Sequence, residues 1–144
     1  MEMYSNILVA VDGSEISLHA FEQAVELAKM SGAKLHAIYV IDVNIRNPGP
    51  NEPAGEIIYR RFEEEGTSAM DEVKKIAAEK AVEVDAILEA GRAGDVIVKA
   101  AKKLDCDLVV TGSLGKSKLD KLILGSVSTY VAKNIKTNLL IVRK

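Results

Sequence analysis

Ile7-Leu-Val-Ala-Val11 is apolar at five successive positions, which a strand with one wet face would not be. Such a strand alternates apolar and polar residues, whereas a short unbroken apolar run suits a strand covered on both faces. Lys34-Leu-His-Ala-Ile-Tyr-Val-Ile41, Cys106-Asp-Leu-Val-Val-Thr111 and Asn138-Leu-Leu-Ile-Val142 read the same way. Val82-Glu-Val-Asp-Ala-Ile-Leu88 alternates more, which places it near a sheet edge. Only helices packed on both faces of a sheet can cover most of these strands.

The segments between the runs supply those helices. Asp12-Gly13-Ser14 is a turn, and Ser14 is the N-cap of a helix reaching about Met30. Ala20, Ala24, Leu27 and Ala28 share one face of it, and Ser31-Gly32 ends it. A long charged helix is expected from Glu56 to Lys80, with an interruption at Gly66. Its Arg60, Arg61 and Glu63 to Glu65 form a solvated face. Gly91-Arg-Ala-Gly94 turns into a helix starting at Asp95, and Ser126 to Asn134 is a short last helix. Asn44 to Gly55 holds all three prolines and forms the one long loop. Crossovers of this length allow parallel pairing, and their right-handedness puts helices on both faces. The fold class is therefore α/β, a doubly wound open parallel sheet in a single domain over residues 1–144.

Aromatic residues make up 4% of the chain and tryptophan is absent, so the core is aliphatic. The formal net charge of −2 is interspersed, which leaves no dense basic face for a nucleic-acid backbone. Lys116, Lys118 and Lys121 are the one basic cluster, and they fall inside a glycine-rich segment. A lone cysteine, Cys106, excludes an intrachain disulfide and reads as a half-buried structural thiol. The first residues lack a basic leader region, and no apolar run is long enough to span a membrane. The expected location is the cytoplasm, without membrane or nucleic-acid partners.

Ligands of open α/β sheets bind beyond the carboxyl ends of the strands, where the strand order reverses. Three segments converge there: Ala10 to Ser14, Val40 to Asp42, and Thr111 onward. The last reads Thr111-Gly-Ser-Leu-Gly-Lys-Ser-Lys-Leu-Asp-Lys-Leu-Ile-Leu-Gly-Ser126. Gly112 and Gly115 allow close backbone approach, while Gly125-Ser126 opens a helix whose free N–H groups suit a phosphate. Lys116 can add a charge, and Ser117, Ser126 and Ser128 can add hydroxyl donors. The spacing is neither a Walker A loop nor a dinucleotide fingerprint. A phosphate cradle and an ordinary glycine loop both fit these residues. Asp12 also has two readings, a ligand contact or a carboxylate that closes its own turn. His19 and His36 lack triad partners, and Glu63 to Glu65 lack a paired-carboxylate arrangement.

With Gly112-x2-Gly115-x9-Gly125-Ser126 and Ile7-Leu-Val-Ala-Val-Asp-Gly-Ser14 in this order, the chain resembles the nucleotide-binding branch of the universal stress proteins over essentially its whole length. The resemblance implies a Rossmann-like, adenine nucleotide alpha hydrolase-like fold: a five-stranded parallel sheet of order 3-2-1-4-5. It also implies ATP as ligand, with Mg or Mn on the nucleotide. Ala10 would line the adenine pocket, the Val40 backbone would read the adenine edge, and Gly112 would meet the ribose region. Asp12 would bond the ribose hydroxyls or lie near a phosphate-bound metal. Gly115, Gly125, Ser126 and Val127 would wrap the phosphates. Leu114 stands where similar proteins often carry His or Arg, and Asn138 where a proline commonly opens the last strand.

The expected function is a dimeric, ATP-binding regulatory or stress-response protein. The homodimer would form through the C-terminal strand, Leu139 to Val142, whose exposed edge self-pairing would satisfy. Two alternatives belong to other classes: a slow ATPase or nucleotidyl-transfer enzyme, and a dimeric interaction module that does not bind ATP.

Overall fold

The structure is a computed structural model that describes residues 3–42, 53–113 and 125–143. Nine elements follow one another: β1 (Asn6–Ala10), α1 (Glu15–Ser31), β2 (Lys34–Asp42), α2 (Pro53–Glu79), β3 (Val84–Gly91), α3 (Ala93–Lys103), β4 (Leu108–Gly112), α4 (Ser126–Asn134) and β5 (Asn138–Val142). The strands form one sheet of order β3-β2-β1-β4-β5, and every neighbouring pair is parallel. The order implied by the family resemblance is the order found.

Strand alternation divides the core in two. Ile7, Val9 and Val11 face α1 and α2, meeting Phe21, Ala24, Val25, Met70 and Val73. Leu8 and Ile38 face the other way, toward Ile97, Ala100, Ala101 and Val131 of α3 and α4. Both faces of β1 and β4 are thus covered, which is why their sequences do not alternate. β3, at the edge, is only partly buried along its length.

Several boundaries differ from the sequence reading. α2 starts at Pro53, a residue well suited to a first helical position, and runs through Gly66 without a break. Gly66 is buried because the helix lies close to the sheet there. A Cβ at this position would sit 2.6 Å from Leu88 Cδ1 and 2.8 Å from Tyr39 Cδ1. β3 is displaced toward its C-terminus, because its ladder with β2 runs from Leu35↔Val84 to Asp42↔Gly91. α3 begins at Ala93, so Gly94 belongs to the helix and packs on Tyr130 of α4. Cys106 precedes β4, and its N–H bonds the Ala101 carbonyl in closing α3 (2.9 Å). Its thiol is buried, and burial, together with Asp107 and Asp105 beside it, pushes it up to about 11.

The end of α2 carries local strain. Ala81 has φ 58°, held by Ala81 N–H to Ala78 O (3.0 Å) and Val82 N–H to Ala77 O (2.9 Å). This left-handed conformation costs an alanine about 1 kcal/mol that glycine does not incur. Ala81→Gly is expected to stabilise the protein by about 0.5 kcal/mol once the freer unfolded chain is counted. A rise in the urea midpoint at constant m would show it.

Candidate functional site

Two strand ladders part at the C-terminal end of the sheet. The β1–β4 register ends at Val9↔Val110, whereas β4 stays with β5 as far as Gly112↔Val142. Past its own end, β1 stays with β2, through Val11 N–H to Ile38 O (2.9 Å). A crevice therefore opens between β1 and β4, where the strand order changes direction.

The register also decides which residues meet there. Ala10 pairs with Ile38, so two residues further on Val40 lies level with Asp12. Val9 pairs with Val110, so Gly112 lies level with Val11. Ala10, Val40 and Val127 all lie partly buried against the α3–α4 core. The structure thus brings Ala10, Asp12, Val40, Gly112 and the start of α4 to one rim. Leu114, Gly115, Lys116 and Ser117 lie outside the described residues, as do Lys118, Lys121 and positions 43–52 of the long loop.

Two helices start at this rim, and they differ in electrostatics. At α1, the Ser14 hydroxyl accepts from Ser17 N–H (3.2 Å), and Glu15 occupies the first turn. Its positive end is already compensated. Asp12 takes part in the same turn, with Oδ1 accepting from Ser14 N–H (2.9 Å) and from the Ser14 hydroxyl (2.5 Å). Gly13, at φ 86°, permits this tight turn. Asp12 Oδ2 takes no hydrogen bond among the described residues and remains available at the rim. The two readings of Asp12 are therefore compatible, since one oxygen serves the turn and the other is left over.

α4 is different. Its N-cap is Gly125, which has no side chain to cap with, and no acidic residue lies in its first turn. The first intrahelical bond is Thr129 N–H to Gly125 O (3.0 Å), so the N–H groups of Ser126, Val127 and Ser128 have no helical acceptor. Of α1, α3 and α4, it alone has neither a capping side chain nor a first-turn carboxylate. Three N–H groups without a helical acceptor, at a positive dipole end, can bind an anion such as a phosphate.

Gly125 is held at the rim because its N–H bonds Ser113 O (2.8 Å), while Ser113 N–H bonds Val142 O (2.9 Å). Ser128, expected from sequence to offer its hydroxyl to phosphate, does not. It is buried, and its hydroxyl donates to Gly112 O (2.7 Å). Thr111 Oγ1 lies 3.4 Å from Ser128 Oγ. No sequence pattern signals this link, because it joins residues brought together only when α4 docks on β4.

A groove of about 790 Å³ opens between the start of α1 and α2, and it shares Asp12 with the rim. Its volume would admit a nucleotide, but Asp12, Glu15, Glu64, Glu65 and Glu72 line it against the single cation Arg61. That excess of carboxylates among the described lining residues does not favour a phosphate there. Among the described residues, no cluster of three or more His, Cys, Asp or Glu could hold a metal ion. No helix there is long and apolar enough to cross a membrane. At the far end of the sheet, His36 Nδ1 lies 2.9 Å from Asp85 Oδ2 and ties β2 to β3.

The family model of the universal stress protein family matches residues 3–143. The universal stress protein MJ0531 of Methanocaldococcus jannaschii is 38% identical over 142 residues, spanning 99% of this chain and 84% of that protein. The solved structure of hypothetical protein MJ0577 is similar at a TM-score of 0.86 and 27% identity, with 99% of this chain and 97% of that one covered. A universal stress protein solved in complex with cAMP is similar at a TM-score of 0.70 and 28% identity, with 97% of each covered. Fold, motif order and relatives agree: the chain belongs to the universal stress protein family.

Proposed function

We propose that this protein binds ATP in the crevice between β1 and β4 and acts as a dimeric regulatory or stress-response protein of the cytoplasm. The observation that carries the reading is the start of α4, which has no capping side chain and three N–H groups without a helical acceptor, tied to the end of β4 beside β1. Ser126 and Val127 would hold phosphates through backbone N–H groups beside Gly125, the family motif adds Gly115 to the same task, and Lys116 and Ser117 would add a charge and a hydroxyl. Ala10 and Val40, partly buried apolar residues at the rim, would flank the adenine ring. Asp12 Oδ2 suits a ribose hydroxyl as donor or a nucleotide-bound Mg or Mn. The cAMP complex of a similar protein supports an adenine nucleotide as the ligand class.

Mass spectrometry of the small molecule released when freshly purified protein is denatured is the direct check. ATP is the expected species; a non-nucleotide ligand released in stoichiometric amount would overturn the reading.

Dimerisation would use β5, which lies at the sheet edge and pairs with β4 alone among the described residues. Leu139, Leu140 and Ile141 are half-buried in the isolated chain, a poor state for an apolar edge. Sedimentation is expected to give a dimer, and Ile141→Lys a monomer. An unchanged dimer would move the interface elsewhere.

A further inference from the structure

We infer that Ser128 is the positioning residue of the phosphate cradle, setting the triphosphate preference of the site through a buried tether and not through contact with the ligand. This inference rests on the nucleotide reading above. Ser128 combines two features. Its backbone N–H is one of the three at the start of α4 that lack a helical acceptor. Its side-chain hydroxyl is buried and donates to Gly112 O at 2.7 Å, across 16 residues of chain.

The acceptor is itself fixed from the other side of the sheet. A Cβ on Gly112 would lie 3.2 Å from Ile16 Cγ2 and 3.4 Å from the Ile16 carbonyl carbon. The end of β4 is thus wedged against the first turn of α1, the helix whose start is closed by Ser14 and Asp12. Through Ser128, the free N–H groups of α4 are held at a set distance from Asp12 and the end of β1. The hydroxyl has one hydrogen, and Gly112 takes it, so Thr111 Oγ1 at 3.4 Å fits as donor to Ser128 Oγ. Preorganised N–H groups bind developing or resident negative charge better than mobile ones, because no reorganisation is needed on binding.

Ser128 is tied to Gly112 at the end of β4, whereas Ala10 and Val40, the residues proposed for adenine, lie on β1 and β2, so loosening it is expected to affect phosphates and leave the nucleoside contacts in place. The test is calorimetric titration of wild type, Ser128→Ala and Ser128→Thr with ATP–Mg and, separately, with adenosine. The expected result is an ATP affinity at least about tenfold weaker in Ser128→Ala, adenosine affinity within about twofold of wild type, and ATP affinity recovered in Ser128→Thr. A general structural role would weaken both ligands together, and that result overturns the inference, as does an undiminished ATP preference in Ser128→Ala. If Ser128→Ala does not fold, Ser128→Cys, of nearly the same volume but a poorer donor, carries the same comparison. A wild type that binds adenosine as tightly as ATP sinks the phosphate cradle itself and the inference with it. Loss of selectivity confined to the variants separates the two cases.

Discussion

Ser126→Asp is expected to stabilise the empty protein and at the same time to abolish most of its affinity for ATP. Ser126 is the first residue of α4 and is exposed, with Gly125 as its N-cap and no carboxylate in the first turn. A carboxylate at this place meets the positive end of the helix dipole and adds about 0.5 kcal/mol of stability. The same charge would stand about 4 Å from a bound phosphate. At an effective dielectric of about 20 the repulsion is about 4 kcal/mol, and screening by salt at an exposed position lowers it to about 2 kcal/mol. That corresponds to about a thirtyfold loss of affinity. Ser126→Ala loses only a hydroxyl donor and is expected to change affinity by a few-fold. Urea unfolding without ligand and an ATP titration would report the two effects separately. Opposite signs are the signature of an anion site on α4; a stability gain with unchanged ATP affinity would place the phosphates elsewhere.

The largest stability effect is expected at Gly66, far from the ligand. Glycine in the interior of an exposed helix costs about 1 kcal/mol relative to alanine, and α2 bears that cost to approach β2 and β3. A bare Cβ already falls 2.6 Å from Leu88 Cδ1 and 2.8 to 2.9 Å from the buried Tyr39 ring. Alanine would regain helix propensity while forcing Leu88 aside, so Gly66→Ala is expected to be nearly neutral or mildly destabilising. Gly66→Leu cannot be accommodated by Leu88 alone and would push the helix off the sheet, at a cost of about 3 kcal/mol. For a chain of this size that is a fall in Tm of about 10 °C. Glu63→Leu, one turn earlier on the solvent side, is the control, with an expected change within about 0.5 kcal/mol. Equal melting temperatures for the two variants would contradict the close packing of α2 on Tyr39.

Gly66 also shows what a sequence can and cannot reveal. Strands β1, β2, β4 and β5 were legible because largely apolar runs have few other uses in a chain of this length; crossover lengths implied parallel pairing, and the order came from the family resemblance alone. A glycine inside a charged helix gives two contrary signals, a break or a close contact, and only the neighbouring strand decides. β3 was misplaced for a similar reason. The apolar alternation ends at Leu88 and Gly91 reads as the start of a turn, but pairing with Val40, Ile41 and Asp42 draws Glu89 to Gly91 into the sheet. Asp12, Ala10, Val40 and Gly112 could be named in advance because they sit at strand ends, where register alone fixes their level. Ser128 was assigned the wrong acceptor, since a buried hydroxyl chooses among groups that only tertiary packing brings within reach. The His36–Asp85 pair went unseen on the same ground.

The central claim is that α4 receives the phosphates of ATP at the parting of β1 and β4. Calorimetric titration of the purified chain, stripped of ligand, with ATP–Mg and then with adenosine tests it most directly. Saturable binding of one ATP per chain is expected, with adenosine clearly weaker because it brings no anion to the N–H groups of Ser126, Val127 and Ser128, which lack a helical acceptor. Absence of saturable ATP binding, or adenosine binding as tightly as ATP, would contradict it.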